Sequence, residues 1–250
     1  MTSVALFVPC YIDQFYPHVA IAALQVLERL GIAVTIPAGA VCCGQPPANA
    51  GFERSTDATL KQFVDEFAPF EQVVVLSGSC ALHVRLHAAH TGGAGAAVAA
   101  RTTEFCAFLH DVVGVDRIAA LDSPFTGRVG VHIGCHSLRG MGLAKPTELQ
   151  VPPFNKVRSL LETVPGVSFA ELRRSDECCG FGGTFAMTEQ AISVRMGEDR
   201  LRDYRDSDAE AIVSSDMSCV MHLQGLAQRN GVQLPMLHVA EVLNGGRQRT

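Results

Sequence analysis

The sequence predicts an α/β protein built from two copies of one parallel β–α–β unit. Three observations carry that expectation. The cysteines recur in the same order twice, short apolar runs lead into them, and segments of helical period separate those runs.

The nine cysteines stand at 10, 42, 43, 80, 106, 135, 178, 179 and 219. With Cys106 set aside, the rest form two sets of one design: a single Cys, a Cys-Cys-Gly, then a single Cys. The first set is Cys10, Cys42, Cys43 with Gly44, and Cys80. The second is Cys135, Cys178, Cys179 with Gly180, and Cys219. The chain is thus read as an internal duplication, with a first cysteine-rich module over 1–125 and a second over 126–250.

Each element follows from local pattern. Residues 4–9 run into Cys10 and 129–134 into Cys135. Both are short and apolar, as in a strand buried on two faces. Runs near 72–77 and 210–215 lead to Cys80 and Cys219, and weaker ones near 32–36 and 167–172 complete the strands. Helices are expected near 17–30, 53–67 and 81–90, and again near 154–163, 186–203 and 217–229. In the first of these, Val19, Ala22, Ala23, Val26, Leu27 and Leu30 fall on one face, and Gly31 ends it. Alternating strands and helices imply parallel strands in two pseudo-symmetric Rossmann-like halves. Sites in such sheets form at strand carboxyl ends, where Cys10, Cys80, Cys135 and Cys219 fall. The glycine-rich 91–97 lacks a preceding strand, so it is read as a flexible connection and not as a dinucleotide loop. Residues 101–127 close the first half.

Bulk properties narrow the function. Hydrophobic residues at 48% supply a buried core, and a net charge of −5 offers no footprint for nucleic acid. The N-terminal apolar run has no basic region before it and is read as a strand, not a signal peptide. No uncharged stretch is long enough for a transmembrane segment. A cytoplasmic protein is the expectation, with docking at the inner face of a membrane through partners left open. In a reducing compartment, nine thiols point to metal ligation or redox chemistry and not to disulfides.

The spacing then speaks to the metal. Thiolates are soft ligands that select zinc, copper(I) or iron–sulfur clusters, and four per set suits a zinc ion or a cluster. Structural zinc sites favour two cysteines separated by a tight turn, whereas adjacent cysteines point in alternate directions and suit a larger object. A cluster is therefore favoured over zinc. The following glycine permits positive φ and brings amide donors to sulfur. A disulfide between neighbours is strained, and it leaves the four single cysteines unexplained.

At these residues the chain resembles the cysteine-rich CCG-domain family, whose module holds a Cys, a Cys-Cys-Gly and a C-x-x-C. That family includes the cysteine-rich subunit of heterodisulfide reductase and the iron–sulfur subunits of glycolate oxidase and anaerobic glycerol-3-phosphate dehydrogenase. In size and layout the chain is most similar to stand-alone, two-module members. The resemblance implies that Cys10, Cys42, Cys43 and Cys80 bind one iron–sulfur cluster, and Cys135, Cys178, Cys179 and Cys219 another. One or two [4Fe–4S] clusters, a variant with an oxygen ligand, or zinc in one module all stay open. It also implies an electron-transfer subunit of a multi-protein oxidoreductase acting on a small 2-hydroxy acid, L-lactate or else glycolate. Ferredoxin-type iron–sulfur subunits would be its partners, because the chain lacks the ferredoxin cysteine run itself. Catalysis at the cluster, as in heterodisulfide reductase, and a zinc-binding structural protein are the alternatives. The chain departs from the family where the first Cys of C-x-x-C would stand, with Ser77 and Asp216 there instead.

Several residues are assigned plainer roles. Cys106 lies on an apolar helical face and is read as a buried structural thiol. His132 and His136 flank Cys135, and His136 is the better candidate for a contact with the metal. His83 and His87 are taken as a packed or solvated helix face. Gly182 and Gly183 shape the cysteine loop, and the charged segment 198–205 is read as solvated.

Overall fold

A computed structural model describes residues 3–39 and 42–246. The outermost residues of both expected modules, 1–2 and 247–250, lie outside it. The expected fold class holds: two four-stranded, all-parallel sheets stand one after the other in the chain. The first contains β1 (Ser3–Phe7), β2 (Ala33–Thr35), β3 (Val73–Val75) and β4 (Thr102–Glu104), in the order β2-β1-β3-β4. The second contains β5 (Thr126–His132), β6 (Gly166–Phe169), β7 (Ala211–Ser214) and β8 (Met236–His238), in the order β6-β5-β7-β8. The winding reverses between β1 and β3, and again between β5 and β7. That makes two topological switch points, the crevices where open α/β sheets hold ligands.

Strand alternation divides the core. Val4 and Leu6 of β1 join Val129, Ile212 and Val213 of the second sheet in one continuous apolar cluster. Ala5 and Phe7 point the other way, onto Phe63 and Phe67 of the helix Asp57–Phe67. The helix Pro17–Arg29 buries Val19, Ala22, Ala23, Val26 and Leu27.

Three expectations need correction. The stretch 91–97 is no loose connection: a helix runs from Gly93 to Arg101, carried by its alanines despite the glycines. The edge strands β4 and β8 are absent from the sequence reading, because Glu104 and His238 break their short runs, whereas the equally short β3 lies in an unbroken apolar run. Cys10 opens its own short helix, Cys10–Phe15, ahead of the expected one.

Glu104, at the end of β4, is fully buried, and its Oε2 accepts a 2.9 Å bond from the Ala107 amide. Burial pushes its carboxyl up to about 8. The folded chain then keeps a proton that the unfolded chain loses near the ordinary value, so stability drains as pH rises between the two. Glu104→Gln is expected to be about 2 kcal/mol more stable than the parent near pH 8, with the gap closing near pH 5. Chemical denaturation at both pH values measures this, and a gap that does not change with pH refutes it.

Candidate metal centres

Each cysteine set gathers at its switch point. Cys10 follows β1, and Cys80 sits in the first turn of the helix Gly78–His87, which follows β3. Cys135 follows β5, and Cys219 sits in the first turn of the helix Met217–Arg229, which follows β7. Amide groups at helix starts favour thiolate. In each half the set passes from rim to floor: Cys10 is exposed and Cys42, Cys135 and Cys178 are half-buried, while Cys43, Cys80, Cys179 and Cys219 are buried.

The thiols meet in sequence. Cys43 Sγ lies 3.0 Å from Cys80 Sγ. Cys42 receives hydrogen bonds from Cys10 and Cys43, which hold it well below the ordinary thiol range, and the same bonds push Cys10 and Cys43 up. The second set repeats this: bonds from Cys135 and Cys179 hold Cys178 down. Metal ligation needs every cysteine of the set as thiolate, so metal binding releases protons from those that still carry them.

The glycine of each Cys-Cys-Gly acts as expected. Gly44 has φ +88° and Gly180 φ +90°, conformations that a side chain resists. Each turns its amide back onto sulfur, Gly44 to Cys42 and Gly180 to Cys178, both at 3.4 Å. Phe181 adds an amide bond to Cys179 Sγ, also at 3.4 Å.

Ser77 and Asp216, in the places of the absent cysteines, are both buried and bond to each other across the two halves. Ser77 Oγ donates to Asp216 Oδ2 at 3.0 Å. The carboxylate also accepts from the Ser79 amide at 3.3 Å, from Tyr11 at 3.3 Å, and from the Ser218 amide and hydroxyl at 3.0 and 2.6 Å. These side chains are spent on joining the two cysteine loops.

The histidines sort differently from expectation. Around the second set, Nδ1 or Nε2 of His132 and the sulfurs of Cys179 and Cys219 all lie within 4.8 Å of one another. His132, the less favoured of the two from sequence, therefore lies at the thiols. Burial and the nearby Arg200 guanidinium push it down to about 3. His83 is buried, with its ring centroid 4.6 Å from that of His87, so the packed reading holds. Sequence reasoning missed that His83 and His222 each follow the last cysteine of their set by three residues, a repeated C-x-x-H. Burial pushes His83 down to about 4 and His222 below its ordinary range, and the Cys42 and Cys178 thiolates oppose this in part. Cys106 is fully buried beside Glu104. Within the segment 198–205, expected to be solvated, Arg200, Asp203 and Tyr204 are buried. Arg202 instead pairs with Asp199 at the surface.

Two parallel-sheet halves, each with a thiol quartet at its switch point, define a duplicated cysteine-rich metal protein. The cysteine-rich CCG domain matches residues 4–85 and 129–224, and the chain belongs to that family. It is 33% identical to lactate utilization protein A 1 of Bacillus mycoides, over 98% of each chain. It is 35% identical to lactate utilization protein A of Geobacillus kaustophilus over 96% of this chain and 98% of the relative. For the Shouchella clausii protein of that name the identity is 36%, over 97% and 98%.

The donor set fits an iron–sulfur group. It offers four soft ligands per half, amide N–H groups aimed at sulfur, and in each half a buried histidine Nε2, of His83 and of His132, with no hydrogen-bond partner among the described residues.

Proposed function

We propose that this protein is an iron–sulfur electron-transfer subunit of a multi-protein system that oxidises a small 2-hydroxy acid, with L-lactate as the first candidate and glycolate the second. The observation that carries the reading is the convergence of two matching thiol quartets at equivalent switch points, in a chain whose relatives are named for lactate utilization. Cys10, Cys42, Cys43 and Cys80 would hold one group, and Cys135, Cys178, Cys179 and Cys219 the other. A bound cluster supplies reversible one-electron storage.

The chain's own residues prepare each site. Cys42 and Cys178 are poised as thiolates, Gly44, Gly180 and Phe181 direct amides at sulfur, and the buried cysteines keep water from the floor. The half-exposed rim leaves each site open to a partner, and ferredoxin-type iron–sulfur subunits are the proposed exchange partners. Among the described residues no helix is long and apolar enough to cross a membrane, so any membrane association would come through such a partner.

The test is anaerobic purification, reconstitution with iron and sulfide, and metal analysis alongside the absorption spectrum. Broad visible absorption that bleaches on reduction is expected. A colourless protein that holds only zinc overturns the reading in favour of a structural metal fold.

A further inference from the structure

The two halves differ beneath their thiols. Three residues before the first cysteine of each set stand Phe7 and His132. Phe7 packs edge-on against Phe63 at 5.0 Å and Phe67 at 5.9 Å, so the first site rests on hydrocarbon. His132 is just as buried, but its surroundings are polar. Its Nδ1 lies 3.0 Å from the Tyr204 hydroxyl, which receives a 2.8 Å bond from Arg200 Nη2. Gly130, the counterpart of Ala5, makes room for this arrangement: a Cβ there would meet Tyr204 Cδ1 at 2.4 Å.

Arg200 is itself held from behind. Its Nη1 donates to Asp203 Oδ2 at 3.0 Å and to the Arg174 carbonyl. Asp203 in turn accepts the amides of Arg173 and Arg174 at 3.1 and 3.2 Å, in the loop that leads to Cys178. A buried network of this kind is costly unless every member finds a partner.

The network decides which ring nitrogen carries the hydrogen. A guanidinium can only donate, so the Tyr204 oxygen accepts from Arg200, and with no other acceptor beside the hydroxyl among the described residues its single proton goes to His132 Nδ1. An imidazole that accepts at Nδ1 carries its hydrogen on Nε2. That atom is buried, finds no partner among the described residues, and belongs to the ring that lies against Cys179 and Cys219. We propose that His132 is a positioning residue of the second site, donating its Nε2–H to the sulfurs held by Cys179 and Cys219 and so making the second site easier to reduce. Adding an electron adds negative charge, which an N–H donor stabilises and the Phe7 ring does not. The inference rests on the iron–sulfur reading above.

The test is a redox titration of the reconstituted full-length protein with dithionite, followed by electron paramagnetic resonance, with Cys43→Ser to assign the second-half signal. His132→Phe is expected to move the second-half step toward lower potential and leave the other in place. The expected shift is about tenfold in the reduced-to-oxidised ratio at fixed potential, about 59 mV for one electron. His132→Gln, which keeps an N–H, should restore most of it, and Tyr204→Phe should fall between. If His132→Phe fails to load, the Gln and Tyr204→Phe variants carry the test. Loaded variants with an unmoved step overturn the proposal. If the parent loads no cluster at all, the functional reading fails, and ¹⁵N histidine spectra of the full chain judge His132 separately. An Nε2–H tautomer that becomes a mixture in Tyr204→Phe supports the donor, and Nδ1–H in the parent overturns it.

Discussion

Asp216→Ala is expected to destabilise the protein by about 3–5 kcal/mol, the scale for removing one side of a buried polar network that includes a charge-capable group. The carboxylate accepts from Ser77, Ser79, Tyr11 and Ser218, and the substitution strands those donors in the interior. It also removes the cap of the helix Met217–Arg229, where Asp216 accepts the Ser218 amide. Ser77→Ala takes away one of the carboxylate's donors, along with the Ser77–Ser79 hydroxyl contact, and is expected to cost about 1–2 kcal/mol. Denaturant unfolding of the metal-free chain measures both. A loss below that of Ser77→Ala would mean that the two halves are joined by packing alone.

Cys179→Ser should remove the metal of the second half and leave that of the first, so iron per chain falls about twofold, because an incomplete thiolate set binds far more weakly. The substituted side chain is nearly isosteric and sits on a buried floor, so folding should survive. Cys106→Ser is the matched control: its thiol is buried against Glu104 and belongs to neither set, so the change should alter neither iron content nor visible absorption. Iron and sulfide analysis after anaerobic reconstitution separates the outcomes. Undiminished iron in Cys179→Ser would remove that residue from the ligand set.

Much of the fold is legible because its signals are local. The apolar runs at β1 and β5 are continuous, and the helix Met217–Arg229 has the bounds expected from its pattern. The runs at β4 and β8 are short and broken by Glu104 and His238, and the alanine-rich helix Gly93–Arg101 hides behind glycines that suggest a loop. The thiols that gather at each site are legible as well, since both sets share one order. The sequence favours His136 over His132 because separation from Cys135 along the chain says nothing about side-chain direction. On a strand, His132 points with Gly130 toward Tyr204. Charge misleads at 198–205: a run of Arg, Asp and Glu ordinarily faces water, yet Arg200 and Asp203 neutralise each other inside.

The sequence by itself determined the duplication, the parallel halves, the thiol sets and the positive-φ glycine beside each cysteine pair, because each depends on neighbours in the chain. Only the tertiary structure decided that Ser77 meets Asp216 and that Arg200 and Tyr204 stand behind His132. Periodicity assigns a residue to a buried face, but what a buried polar group finds there depends on segments far away in the chain. Without a hydrogen-bond partner its burial would be costly, so those distant contacts decide its role.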